Sequence, residues 1–154
     1  MIDINGDCFS DLVLLSNANT TMEIYIKNHL NSYDYSVLNI GKNIVWLNFA
    51  DFDGNGAADI FIVAHESGNY TAYVLPNLNS PSDICVPYTA PSYDFKNLVA
   101  LNLPSTHKLL KDSNIKIGDF NFDGFPDLLG IFSIDTFRSV SILANKGGLK
   151  FAPF

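Results

Sequence analysis

The stretch "GDFNFDGFPDLLGIF" spans residues 118–132 and sets polar side chains at alternate positions, ahead of a glycine and a short apolar run. Counted from Asp119 as place one, oxygen-bearing side chains hold places three and five, Gly124 holds place six and Asp127 holds place nine. Calcium takes about six to eight oxygen ligands, which carboxylates and amides at such spacing in a tight loop supply. The spacing therefore predicts a calcium loop that leads into a β-strand.

Two further stretches repeat this pattern. "ADFDGNGAADIFIV" (residues 50–63) begins its loop at Asp51, and "DINGDCFSD" begins at Asp3 with Cys8 in the glycine place. A backbone carbonyl at place seven would add a ligand to each loop, and up to three Ca²⁺ ions are expected. The predicted ligands are Asp3, Asn5, Asp7, Phe9 and Asp11 in loop one, Asp51, Asp53, Asn55, Ala57 and Asp59 in loop two, and Asp119, Asn121, Asp123, Phe125 and Asp127 in loop three.

The pattern differs from an EF-hand, which has a glutamate at place twelve and a helix on either side. Place twelve holds Leu14, Ile62 and Gly130, and the runs after place nine are rich in branched apolar residues typical of strands. Asp, Asn and Gly also form ordinary turns. A turn needs no acid at place nine, so three copies in register favour metal binding.

The unit D-x-[DN]-x-[DN]-G-x-x-D followed by a strand resembles the calcium loop of the FG-GAP and VCBS repeats, which form blades of integrin-α-type β-propellers. The order of "DINGD", "FADFDGNGAAD", a long insertion and "IKIGDFNFDGFPDLL" is similar to the T-cell immunomodulatory protein group of cell-surface proteins. The literal Phe-Gly and Gly-Ala-Pro phrases of the integrin repeat are missing. The resemblance implies an all-β fold, a partial β-propeller of about three FG-GAP-type blades with calcium loops between strands.

The predicted blades cover residues 1–42, 43–112 and 113–154 of one propeller fragment. In the strand "NIVWLNFA", Ile44, Trp46 and Asn48 are expected on one face and Val45, Leu47 and Phe49 on the other. An insertion at about 77–113 carries four of the seven prolines. Such an insertion is either a binding loop or a passive excursion that contains the outer strand of blade two in "NLVALNL", and we favour the second interpretation.

Charge and hydropathy restrict the function classes. Nine of the 16 acids lie in the loops, so three calcium ions would bring the net charge from −7 to −1. With nine lysines and arginines and no basic stripe, nucleic-acid binding is disfavoured. No apolar stretch reaches the roughly 18 to 20 residues of a membrane span. The chain begins almost inside a calcium loop, which indicates a piece of a longer protein.

The histidines, tyrosines, sequons and cysteines give weaker signals. "HE" at residues 65–66 lacks the second histidine of a zinc protease, because Asn69 stands in its place, and no other motif predicts catalysis. Tyr88 and Tyr93 are the candidates for stacking on a sugar ring. Asn19 and Asn69 begin sequons and are candidate N-glycosylation sites. Cys8 and Cys85 leave the question of a disulfide open.

These observations predict a non-catalytic calcium-binding propeller segment that serves extracellular recognition or adhesion. The resemblance implies a protein partner at the cell surface, the remaining propeller blades of the parent chain, a single-pass membrane anchor, and a place outside the plasma membrane or in the secretory pathway. The alternative is an accessory carbohydrate-binding module of a larger secreted enzyme, with a glycan as ligand. Three blades cannot close a ring, so apolar end faces should cause association. Cys8 should make loop one the weakest calcium site.

Overall fold

The computed structural model describes residues 2–78, 85 and 98–154, and this part of the chain consists of β-strands, loops and turns without a helix. The all-β prediction is confirmed. No helix that could cross a membrane occurs among these residues. Tyr88 and Tyr93 lie outside them. The strands are β1 (Leu12–Leu15), β2 (Thr21–Lys27), β3 (Tyr33–Asn39), β4 (Ile44–Ala50), β5 (Asp59–Glu66), β6 (Asn69–Leu75), β7 (Val99–Ala100), β8 (His107–Leu109), β9 (Lys116–Gly118), β10 (Asp127–Ile134), β11 (Phe137–Asn145) and β12 (Phe151–Pro153).

The strands form three antiparallel sheets, an arrangement of β-propeller type. Sheet one has the order β1-β2-β3, sheet two β4-β5-β6-β7, and sheet three β12-β11-β10-β8, with β9 also paired to β10. β8 and β9 pair with different halves of β10, residues 132–134 and 127–129. β7 confirms the outer strand predicted in "NLVALNL". β8 lies before residue 113, yet its hydrogen bonds place it in sheet three.

Sheet two is packed between the other two sheets. On β5, Ile60 and Ile62 belong to an apolar core with Met22 of sheet one. Phe61 and Val63, which point to the opposite face, belong to a core with residues of sheet three, including Leu128 and Phe132. A strand covered on both faces needs apolar residues at successive positions, which explains the unbroken run "IFIVA" in β5.

A β-bulge interrupts the first strand of sheet two. Ile44 pairs with Ala64, whereas Trp46 pairs with the adjacent residue Val63, so Val45 is the extra residue. The prediction that Ile44 shares a face with Trp46 was wrong. Ile44 is buried in the core with sheet one, and Trp46 packs against the core with sheet three, where its ring meets the Phe61 ring edge to face at 6.1 Å between centroids.

Candidate metal centre

The three predicted loops are neighbours at one end of the stacked sheets. The side-chain amide of Asn77, which follows β6 beside loop two, donates to the carbonyl oxygen of Ile4 in loop one at 2.9 Å. On the other side, a Cβ atom added to Gly54 in loop two would lie 3.6 Å from the Phe125 ring of loop three. The packing of the sheets therefore brings the loops into one row.

In each loop the carboxylate at place one accepts backbone N–H groups from later residues of the same loop. Asp51 accepts the backbone N–H groups of Gly54 and Asn55 at Oδ1 (2.8 and 3.1 Å) and that of Gly56 at Oδ2 (2.8 Å). Asp3 and Asp119 likewise accept the N–H groups of places five and six of their own loops, at 2.8–3.1 Å. Because one acid gathers several successive amides, the side chains at places three and five turn toward it.

The amide and carboxylate at places three and five interact with each other in every loop. The amide nitrogen of the asparagine donates to the neighbouring carboxylate, at 2.9 Å in loop one, 3.3 Å in loop two and 2.8 Å in loop three. The place-five side chain also accepts the N–H group of place seven, which is Phe9, Ala57 or Phe125. The predicted ligand role of the place-seven carbonyls stays a prediction.

Each loop uses the left-handed backbone conformation at two places. At place six, φ is +87° for Gly56, +88° for Gly124 and +68° for Cys8, so the cysteine adopts the glycine conformation. Place four is also left-handed, and there loop three has the 90% exposed Phe122 at φ +61°. Place four was not predicted from the sequence, although the glycines at positions 6 and 54 mark it in the other two loops.

The acids at place nine are fully buried, and each of their two oxygens accepts one backbone N–H group. Oδ2 of Asp11, Asp59 and Asp127 accepts the N–H group of place two in its own loop, at 2.8–2.9 Å. Oδ1 accepts an N–H group from the end of the next strand or just beyond it, from Lys27, Asn77 or Asn145, again at 2.8–2.9 Å. The place-nine acid therefore braces the loop against the sheet in addition to its predicted role as a ligand.

Burial and charge act together on these acids. Burial raises the pKa of Asp59 to about 6, and the charges of Asp53 and Asp51 raise it as well, while the two backbone hydrogen bonds act in the opposite direction. Burial likewise raises the pKa of Asp11. A carboxylate held in this way is stabilised in its charged form by a nearby cation.

The donor set of loop two fits a divalent cation. One oxygen from each of Asp51, Asp53 and Asp59 lies within 4.8 Å of the others. Among the described residues, the aspartates of loops one and three are not gathered to this distance, although their hydrogen bonds follow the same scheme. If calcium is bound, Asp51, Asp53 and Asp59 are the carboxylates that would hold it in loop two.

Two asparagines that contact the place-nine acids were not predicted from the sequence. Asn77 and Asn145 are both fully buried and both lie 18 residues after the acid that they contact. Each asparagine ends a similar four-residue motif at the end of a strand, "VLPN" or "ILAN", and this shared motif could have identified both. In loop one the counterpart is Lys27, 16 residues after Asp11, whose contact uses only the backbone N–H group.

The remaining sequence candidates are distributed around the loops and turns. Cys8 and Cys85 form a disulfide, with their Cα atoms 5.0 Å apart, which answers the question that the sequence left open. Both sequon asparagines, Asn19 and Asn69, are exposed. The use of Asn19 and Asn69 as glycan acceptors stays a prediction. The ring of His65 packs on the ring of Tyr70, with the two ring centroids 4.8 Å apart.

Comparison with known protein families gives one match. Residues 3–62 match a family described as an FG-GAP-like repeat, a segment that contains loops one and two and all three strands of sheet one. No curated protein and no solved structure matches the chain. Loop three lies outside the matched segment, yet it repeats the hydrogen bonds of the other two loops.

Proposed function

We propose that this chain is a non-catalytic, calcium-stabilised segment of an extracellular β-propeller that recognises a protein partner. The observation that carries the proposal is the gathering of Asp51, Asp53 and Asp59 around one point in loop two. The repetition of the same hydrogen bonds in loops one and three supports one ion for each loop. The FG-GAP-like match supports a propeller-type extracellular domain.

The chemistry of the ligands favours calcium over other metals. Every predicted ligand is a carboxylate, amide or carbonyl oxygen, which suits hard cations and not the thiolate or imidazole chemistry of zinc and copper. The loops are irregular in backbone conformation, with left-handed residues at places four and six, and calcium tolerates the irregular geometry that magnesium does not. The function of the ion is then to hold together acids that repel one another and to fix the loop against its sheet.

Several features support an extracellular setting. The Cys8–Cys85 disulfide is of a kind that persists in oxidising compartments, and both sequons are exposed. Calcium sites of extracellular modules have dissociation constants of about 10⁻⁴ to 10⁻³ M, which matches free calcium on the order of 1 mM outside cells. A parent similar to the T-cell immunomodulatory protein group, with one membrane anchor, is the finer form of this proposal.

Removal of calcium tests the proposal. With free calcium at about ten times the dissociation constant, mass action stabilises the fold by about 1.4 kcal/mol per site, or roughly 4 kcal/mol for three sites. For a chain of this size that corresponds to about 8–16 °C in melting temperature. The chain would be stripped with a chelator, checked for residual metal, and melted with and without 1 mM calcium. Equal melting temperatures would contradict the proposal, and magnesium at the same concentration is the matched control.

A further inference from the structure

The fourth strand of sheet two covers only part of β6. β7 pairs with Tyr73 and Val74. Among the described residues, the last backbone contact along this edge is the Leu101 N–H group, which donates to the carbonyl oxygen of Ala72 at 2.9 Å. The first three residues of β6, 69–71, therefore lie beyond the end of the outer strand.

Tyr70 presents backbone hydrogen-bonding groups at this open edge. The Ala72 carbonyl points to the edge, because it accepts the Leu101 N–H group. In an antiparallel ladder, residues two apart direct their N–H and C=O groups to the same side, so those of Tyr70 also point away from β5. In the part of the chain that the structure describes, neither group of Tyr70 has a partner on that side.

A groove of about 540 Å³ adjoins the open edge. Its lining comes from residues 68–72, from the segment 101–105 and from β8. The groove lies at the end of the sheets away from the calcium loops, because β6 begins there and β8 pairs with the last residues of β10. Further blades of a parent chain would pack on the outer faces of sheets one and three, whereas this groove lies at the seam between sheets two and three. Ligand clefts are typically about 300–1,000 Å³, so the groove has room for a short peptide segment.

The charge of the groove favours an acidic ligand. Lys108 is exposed and lines the groove, and none of the described lining residues is an acid. Acids near these segments are already engaged, because Glu66 pairs with Lys42 and Asp112 pairs with Arg138. Lys108 has no ion-pair partner within the described ranges. A carboxylate brought by a ligand would therefore meet a cation without competition from a neighbouring acid.

We propose that the groove takes an extended, acidic segment of a protein partner, which pairs with Tyr70 as a further strand of sheet two. In such strand addition, main-chain hydrogen bonds give affinity and side chains give specificity. The partner residue opposite Tyr70 donates to its carbonyl oxygen and accepts its N–H group, and an acidic side chain of the segment is attracted to Lys108. The inference rests on the proposed recognition of a protein partner and names the form in which that partner binds.

Amide hydrogen exchange of the complete chain in calcium tests whether the edge is open. The Thr71 amide points to β5 and is protected by the ladder, so the Tyr70 amide should exchange roughly tenfold faster or more. Equal protection of the two amides would show that the edge is already covered and would overturn the proposal.

Selection from a library of random peptides of about ten residues, displayed on phage, tests the ligand class. The target is the complete chain, produced without N-glycans and held in calcium. Enriched peptides should carry aspartate or glutamate, and a synthetic copy of one should slow exchange of the Tyr70 amide in the complex. No enrichment, enriched peptides without acids, or binding that leaves Tyr70 unprotected would each overturn the proposal.

Two pairs of variants test the contacts with the selected peptide. Tyr70→Pro and Tyr70→Ala both lack the ring, but only the first lacks the N–H group, and proline is compatible with an N–H position that faces away from the ladder. Tyr70→Pro should bind about tenfold more weakly than Tyr70→Ala. Lys108→Glu should also weaken binding, whereas Lys111→Glu, exposed and outside the groove lining, should not.

Equal affinity of the two Tyr70 variants, or unchanged affinity of Lys108→Glu, would overturn the proposal. Circular dichroism checks that each variant is folded, and the Lys108 pair and the exchange measurement decide the question if Tyr70→Pro does not fold. Loss of the peptide result with calcium-dependent melting intact would reject this inference alone. Peptide binding by a chain whose melting ignores calcium would instead reject the calcium part of the proposed function.

Discussion

The backbone N–H group of Asn77 donates to Oδ1 of Asp59 at 2.8 Å, across 18 residues of chain. The other oxygen of Asp59 accepts the N–H group of Phe52 in its own loop, also at 2.8 Å. One buried side chain thus joins the start of loop two to the end of the second strand after it. This bracing does not depend on a bound ion, so the acid at place nine should differ in its mutational effect from the acids at places three and five.

Replacement of Asp59 by alanine should destabilise the fold with or without calcium. The change leaves two buried N–H groups without an acceptor, and each such group costs about 1–3 kcal/mol of stability. Removal of the carboxylate also removes the cost of burying its charge, the cost that raises the pKa of Asp59, and this offsets part of the loss. We expect a net loss of about 1–3 kcal/mol in chelator and more in calcium, measured by thermal unfolding. Asp53→Ala, at an exposed position of the same loop, is the control. An Asp59→Ala variant that is as stable as the natural chain in chelator would contradict the bracing role.

Asp123→Ala should act only when calcium is present. Asp123 is exposed, and its bonds to the Phe125 N–H group and the Asn121 amide are made at the surface, so their loss costs little. Loss of one calcium site should remove about 1.4 kcal/mol, or about 3–6 °C in melting temperature, at 1 mM calcium. An equal drop in stripped protein would show that Asp123 stabilises the loop by itself.

Loop one should be the weakest calcium site, and Cys8 should be the reason. A side chain at φ +68° costs about 1 kcal/mol relative to glycine. Cys8→Gly and Cys85→Ser both lack the disulfide, but only the first restores glycine at place six. Calcium titration followed at the Phe9 amide by nuclear magnetic resonance should give about fivefold tighter binding for Cys8→Gly. Equal affinities would remove the backbone explanation.

The ion pair between Lys42 and Glu66 should give a pH-dependent contribution to stability. Lys42 Nζ lies 2.6 Å from Glu66 Oε1, and this hydrogen bond, together with that from the Tyr73 hydroxyl, lowers the pKa of Glu66. A lowered pKa means that the contribution is present above the unfolded value of about 4.5 and is lost as the pH falls through the folded value.

Because both side chains are partly exposed, we expect about 1 kcal/mol or less. The measurement compares the natural chain with Glu66→Gln in chelator, so that the titration of the loop acids affects both proteins alike. The difference in unfolding free energy should be largest near pH 7 and should disappear near pH 3. A difference that does not change over this range would contradict the assignment.

Gly130→Ala should destabilise sheet three because the position has no room for a methyl group. An added Cβ atom would lie 2.4 Å from Cδ1 of Ile115 and 3.1 Å from the carbonyl oxygen of Ser113. The Ile115 side chain can shift, but the Ser113 carbonyl accepts the Ile131 N–H group at 2.8 Å and is fixed. A loss of about 1–3 kcal/mol is expected in urea unfolding. Ser139→Ala, at an exposed position of β11, is the control.

The elements that are marked by residues close together in the chain could be predicted from the sequence. The loops were found because oxygen ligands must recur at fixed spacing, and β7 was found because "NLVALNL" is a short apolar run between turn residues. The bulge at Val45 could not be found, because the alternation of "NIVWLNF" continues through it without interruption. The Cys8–Cys85 bond and the place of β8 in sheet three depend on contacts between distant segments, which no local pattern records.

The disulfide also decides how the chain would respond to a pulling force on its ends. Cys8 and Cys85 are 77 residues apart, and β1 to β6 lie between them. Tension applied at the two termini would pass from the first residues through the sulfur atoms directly to the part of the chain after Cys85. At about 3.4 Å per extended residue, roughly 260 Å of contour is thereby withheld from stretching. Under load in an oxidising environment, sheet three would unravel while sheet one kept its strands, and a reductant would release the withheld length in a single step.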